Sequence, residues 1–225
     1  MKGPYPPLGV AVDIVLLTVV ERRLEVLLTR RDEEPFRGRW SLPGGFVRED
    51  ESAETAASRE LLAKTGVQDV FLEQLYTFSR PNRDPRSRVV SVAYYALAAS
   101  ERAAAAAGSR ASAWLSLGTR EDGSLWVGSP DEPAPLAFDH EEILFTALTR
   151  IRGKLDYAPI GFQLLPREFT LTELQHVYEA VLGEPMDKRN FRAKVQRSGQ
   201  VKPLETYRTG SHRPARLYTF EGAVF

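Results

Sequence analysis

Apolar residues recur at every second place over residues 10–20, at Val10, Val12, Ile14 and Leu16, and the apolar pattern returns over 24–29 after Glu21-Arg22-Arg23. This period predicts two strands joined by a short turn. Residues 30–39 are polar and read as a loop that leads into Trp40-Ser41-Leu42-Pro43-Gly44-Gly45-Phe46, where paired glycines permit backbone approaches a Cβ would block. Ser52 caps a predicted helix with Ala53, Ala56, Ala57, Leu61 and Leu62 along it, stopped by Gly66. Residues 71–78 and 89–97 read as strands, separated by a basic loop with two prolines. The alanine run 103–107 reads as loop leading into a strand near Ala113-Trp114-Leu115, and 119–135 as a surface loop. Ile143, Leu144, Leu148 and Ile151 predict a helix over 139–155, and the Pro/Gly-containing 156–166 reads as an inter-domain segment.

The last third changes character. Thr170-Leu171-Thr172-Glu173 is a capping-box pattern, opening a helix with Leu174, Val177, Tyr178, Val181 and Leu182 on one face. Asp187 caps a second helix with Phe191 and Val195 as its apolar stripe, leaving Lys188, Arg189, Arg192 and Gln196 beside that stripe. Residues 201–208 and 215–220 read as a hairpin with a basic tip. Helix, turn, basic helix and basic-tipped hairpin is the layout of a winged helix-turn-helix.

Composition narrows the function. The chain has 225 residues and no cysteine, which removes disulfides and thiolate metal sites. The start, MKGPYPPLG, lacks the apolar core of a signal peptide, and the run 10–20 is broken by Asp13 and too short to span a bilayer. These features predict a cytoplasmic protein without membrane contact. Net charge is zero, yet residues 186–220 hold nine Lys/Arg against two Asp/Glu, and that surplus of seven marks an anion-binding end. Lys188, Arg189, Asn190, Arg192 and Lys194 on the second helix, with His212 and Arg213 on the hairpin tip, are the expected DNA contacts. The helix residues would face base edges, and the tip would face phosphate or the minor groove.

Residues 45–67 carry the second signal. Gly45, Glu51, Arg59, Glu60, Leu61, Gly66 and Val67 stand at the spacing of the box that defines Nudix hydrolases, but its paired glutamates are here Ala63 and Lys64. Pyrophosphate cleavage needs divalent metal, and magnesium needs several hard oxygen ligands. One carboxylate with a lysine a turn away is a poor magnesium site, whereas Lys64 offers a point charge to a diphosphate. We therefore expect no catalytic residues and no bound metal. A Glu51–Arg59 pair is expected to pin the loop to the helix.

A defective Nudix box followed by a winged helix resembles the Nudix-related transcriptional regulators of NAD metabolism, the NrtR family. Trp40 to Gly45, Phe138-Asp139-His140 and Arg83-Asp84-Pro85-Arg86 are similar to the ADP-ribose pyrophosphatase branch of Nudix proteins. The resemblance implies an α+β chain: a Nudix α/β/α sandwich over 1–153 and a winged helix-turn-helix over 154–225. It implies a homodimeric repressor of NAD biosynthesis or salvage genes that binds double-stranded operator DNA. ADP-ribose or a related nucleotide is then an effector, with no cofactor required. Arg39, Phe46, Arg59, Glu60, Lys64, Arg83, Arg86 and Tyr94 are the expected effector-binding residues. The alternatives are an active ADP-ribose or nucleoside-diphosphate pyrophosphatase drawing metal ligands from Glu49 or Glu54, and a regulator of sugar metabolism sensing a sugar.

Overall fold

The computed structural model describes residues 7–68, 70–105, 111–155, 157–209 and 214–222. The long strand β1 (Gly9–Val20) runs through the middle of the main sheet, flanked by β2 (Arg23–Arg30) and β6 (Val89–Leu97). The order continues to β5 (Phe71–Phe78) beyond β6, and to β7 (Ser112–Thr119) and β8 (Leu125–Val127) beyond β2. Only the β1–β6 pairing in this series is parallel. Two short strands, β3 (Trp40–Ser41) and β4 (Gly44–Phe46), attach to β2 and β1.

β1 is buried on both faces, so its alternation divides its apolar residues between two cores. Val12, Ile14 and Leu16 meet Ala56, Ala57 and Leu61 of helix α1 (Ala53–Thr65) on one side. Val15 and Leu17 meet Ile143, Leu144, Leu148 and Ile151 of helix α3 (His140–Lys154) on the other. The predicted caps of α1 form: Ser52 accepts from the Thr55 amide at 3.1 Å, and Gly66 closes the helix at φ 72°. Between β6 and β7, Ser100–Ala105 forms helix α2. The expected loop is thus in part helical, because helix propensity of the alanines acts here before any strand begins. Within the expected surface loop 119–135, Leu125–Val127 instead adds strand β8 to β7, burying Leu125 and Val127.

The segment read as an inter-domain linker is also ordered and packed. Pro159–Leu164 forms a 3₁₀ helix, with Ile160, Phe162 and Leu164 buried. After the short strand β9 (Glu168–Phe169) comes α4 (Leu171–Leu182), whose capping box is complete: Glu173 N–H donates to Thr170 Oγ1 at 3.1 Å, and Thr170 N–H donates to the Glu173 carboxylate at 2.7 Å. Then α5 (Lys188–Ser198) and the hairpin β10 (Val201–Arg208) and β11 (Ala215–Phe220) follow, with β9 pairing β11. Phe169, Leu171, Leu174, Phe191 and Val195 make a separate core here. The two halves are nonetheless joined, because Val177 and Val181 of α4 lie in the same cluster as Leu24, Val26 and Ile151. Arg152 Nε donates to the Val181 carbonyl at 2.8 Å, and Arg22 pairs with Glu179 at 3.2 Å across the same contact.

Candidate functional site

The cleft lies where α1, β4, the 79–88 loop and the start of α3 converge. Its geometry begins with the glycine pair. A Cβ on Gly44 would collide with the Val12 carbonyl, and one on Gly45 with the Glu60 carboxylate. Glycine at these two places lets β4 lie directly beneath α1. Glu60 is then shared by two cations: Arg59 bonds it, and Lys64 Nζ stands 3.4 Å away while also donating to the Gly44 carbonyl. Arg59 further clamps Glu51 at 2.5 and 2.9 Å and the Phe46 carbonyl at 3.2 Å. Hydrogen bonds from Arg59 and from the Arg48 amide pull the Glu51 carboxyl down to about 2. Arg59 therefore spends its donors inside the box, holding its loop and helix together, and is not the open effector ligand expected from sequence.

Magnesium does not fit this cleft. Glu60, the one glutamate left at the box's metal-binding positions, is already paired with Arg59 and Lys64, and among the described residues no group of three or more acidic or imidazole side chains is arranged to hold a metal ion.

The floor is a buried ionic network. Asp13 interrupts the apolar run of β1, and Arg83 reaches it at 3.1 Å while binding Asp139 with two bonds of 2.7 and 2.9 Å. Ser91 donates to Asp13 at 2.6 Å. His140 Nδ1 accepts the Leu42 amide at 2.9 Å, which leaves the ring proton on Nε2, 3.4 Å from Asp13. Burial opposes ionisation of Asp13, but His140, Arg83 and Ser91 outweigh it and hold the carboxyl well below the usual carboxylate range. Arg83 is buried between two carboxylates, so its expected role as a phosphate ligand gives way to a structural one.

The remaining predicted residues divide. Phe46 is half exposed and, with Lys64 and Arg86, borders the inner cavity of about 110 Å³. Arg86 makes a bidentate pair with Asp84 at 2.7 and 3.0 Å, and that bond lowers the Asp84 carboxyl. Arg39 is exposed on the rim, bonded to the Leu136 carbonyl at 3.4 Å and set 5.3 Å over Phe36. Tyr94 is not in the cleft: the β6 alternation turns it under α1, into the core, where burial raises its phenol pKa. Asp13, Arg31, Phe36 and Phe138 line or support the cleft and were not foreseen as site residues. Asp13 left a usable signal as a charge inside an apolar strand, and Phe138 stands in the Phe138-Asp139-His140 stretch already noted for its resemblance. Arg31 bonds the carbonyls of Pro35 and Glu33 and lies 4.8 Å over Phe138.

On the second surface, Lys188, Arg189 and Asn190 occupy the exposed first turn of α5, whose cap Asp187 accepts from the Asn190 amide at 2.8 Å. Arg192 is half-buried, reaching Thr172 at 3.3 Å, and borders a groove of about 950 Å³ between α4, α5 and the hairpin. Lys194 is exposed on the same helix. His212 and Arg213 lie outside the described residues. No helix among those residues is long and apolar enough to cross a membrane.

Two family models match this arrangement: the NUDIX domain over residues 7–128 and the NrtR DNA-binding winged helix domain over 161–220. An Acinetobacter baylyi protein named ADPR responsive transcriptional repressor NtrR is 35% identical over 97% of this chain and 84% of its own length. The chain belongs to the NrtR family. Shewanella oneidensis NrtR, solved with a 27mer DNA, is 34% identical and superposes with a TM-score of 0.76, over 94% of this chain and 93% of that one. A MutT/nudix family protein from Enterococcus faecalis is 33% identical with a TM-score of 0.81, over 97% and 90% of the two chains. A Nudix domain followed by a winged helix is therefore the family's architecture as well as this chain's.

Proposed function

We propose that this NrtR-family chain is a transcriptional repressor that binds operator DNA through its winged helix and responds to ADP-ribose in a Nudix cleft that does not hydrolyse it. The observation that carries this reading is Lys64. It stands where the hydrolase box has a metal-binding glutamate, pairs with Glu60 and stays partly exposed beside Arg86 at the cavity, so a cation in place of a metal ligand is available to a diphosphate. The Acinetobacter relative, named for its response to ADPR, supports the choice of effector. The exposed cations of α5 support the choice of DNA, since charge on a helix that fits the major groove supplies both affinity and readout.

In this reading Lys188, Arg189, Asn190, Arg192 and Lys194 meet the operator, and His212 and Arg213, outside the described residues, add to that contact. Phe46, Lys64, Arg86 and Arg39 surround the effector, while Arg59, Glu60 and Arg83 hold the cleft in shape. The chain acts as a homodimer in the cytoplasm, needs no cofactor, and represses genes of NAD synthesis or salvage. Its two-fold symmetry matches a roughly palindromic operator with half-sites one or two turns apart. Effector binding favours one dimer geometry, and so changes the spacing of the two α5 helices.

The test is fluorescence anisotropy with labelled promoter DNA, at two salt concentrations, with and without ADP-ribose. A salt-dependent complex whose affinity shifts with ADP-ribose is the expected result. Magnesium-dependent release of AMP from ADP-ribose, abolished in Glu60→Gln, would instead establish the hydrolase.

A further inference from the structure

The groove between α4, α5 and the hairpin is lined by four cations and, among the described residues, by one carboxylate, Glu173. Lys188 and Arg192 stand on the α5 wall, Arg208 and Arg216 on the hairpin wall. The first turns of α4 and α5 both open onto it. In a helix-turn-helix the N-terminal residues of the second helix face the bases, so the groove lies on the DNA side.

Its two walls treat their charge differently. On the α5 wall, Lys188 and Arg192 have no carboxylate partner among the described residues; Arg192 donates to the Thr172 hydroxyl at 3.3 Å. On the hairpin wall both cations are cancelled. Arg216 pairs with Glu205 at 2.7 Å, and Arg208 pairs with Glu173. The second pair differs from an ordinary surface contact, in which two mobile side chains give up rotamer freedom for little gain. Here both partners are tethered. One Glu173 oxygen accepts the Thr170 amide at 2.7 Å in the capping box, and the other accepts Arg208 Nη1. Arg208 Nη2 donates to the Glu168 carbonyl at 3.2 Å. The start of α4 therefore keeps a carboxylate in the groove whichever way the guanidinium turns. The cap itself does not require that charge, because glutamine also serves at this position of a capping box.

We infer that Glu173 restrains sequence-independent DNA binding: it cancels Arg208 and keeps the hairpin wall from adding a phosphate contact. A cation that neutralises a phosphate adds affinity for every sequence alike, and a genome offers far more wrong sites than right ones. With Arg208 cancelled, the attraction of the groove comes from the α5 wall, whose side chains also reach base edges. The inference rests on the DNA-binding reading above and extends it, since it gives a carboxylate a part on the DNA face.

The test is fluorescence anisotropy of the full chain with a labelled random-sequence duplex over a range of salt. Glu173→Gln keeps the capping box and removes the charge, so the melting temperature should stay within about 4 °C. The slope of log K against log salt should steepen by about 0.9, the value for one added phosphate contact, and Kd should fall about threefold, as for one exposed charge contact. The double variant Glu173→Gln and Arg208→Gln removes both members of the pair and should return the slope to that of the unaltered chain. A folded Glu173→Gln chain with an unchanged or shallower slope overturns the inference. So does a double variant whose slope is shallower than that of the unaltered chain by about 0.9, since Arg208 would then hold a phosphate in spite of its partner. Either result leaves the DNA-binding reading standing. If the unaltered chain binds neither the random duplex nor promoter DNA, that reading falls and the inference falls with it.

Discussion

The cleft floor and the first turn of α5 are both built around cations, and they treat them in opposite ways. Arg83 is enclosed between Asp13 and Asp139 with almost no exposure. Lys188 and Arg189 point into solvent and form no ion pair among the described residues. They also sit at a helix N-terminus, where the backbone dipole disfavours positive charge. Neutralised charge in this molecule maintains shape; charge left open against a local cost is available to an anionic partner.

The largest effect that tests this contrast is on the floor. Arg83→Met removes the cation between two buried carboxylates and should cost about 3–5 kcal/mol of stability in a urea titration. A loss below about 1 kcal/mol would show that the network does not hold the cleft. The double variant Lys188→Ala and Arg189→Ala should do the reverse. Stability stays within about 0.5 kcal/mol or improves slightly, while the slope of log K for DNA against log salt shrinks by about 1.8, the value for two lost phosphate contacts. An unchanged slope would move the DNA site off α5.

Lys64→Ala lies between these extremes, because Lys64 is partly open and partly paired. We expect weaker ADP-ribose binding by calorimetry and a stability change of no more than about 1 kcal/mol. Unchanged affinity would remove Lys64 from the effector site. The smallest effect concerns Glu51. Its folded carboxyl titrates near 2, below its unfolded value, so the Arg59 clamp stabilises the chain above about pH 4.3 and its contribution is lost as pH falls toward 2. Glu51→Gln should flatten the acid limb of the melting temperature over that window; an identical limb would leave the clamp without a role in acid stability.

Much of this contrast was legible in the sequence, for a physical reason. The caps at Ser52, Thr170 and Asp187 act within one turn of chain, so local spacing reveals them. The same holds for the exposed cations of α5, because a capped helix with an apolar stripe determines its own outer face. The cleft was harder. Arg59 and Arg86 are bound by near neighbours, Glu51, Glu60 and Asp84, but whether Arg83 is free depends on carboxylates contributed from elsewhere, since Asp13 and Asp139 reach it across 70 and 56 residues. Tyr94 was misplaced because a strand buried on both sides shows no alternation to say which layer a residue enters. β8 and the packed 3₁₀ helix escaped notice because their turn-forming residues outweigh a few buried side chains.

The wedge of Val177 and Val181 between Leu24, Val26 and Ile151 has a consequence for how a signal can leave the sensor. A reader head hung on a slack tether could swing while its sensor stayed still. Here the first helix of the reader is part of the sensor's own interior, so a single protomer has no loose joint at this point, and the two parts should melt together in one calorimetric transition. In the homodimer proposed above, the distance between two reading heads would then change by rolling one whole protomer against the other, and a message written in the cleft would travel as the tilt of a rigid body.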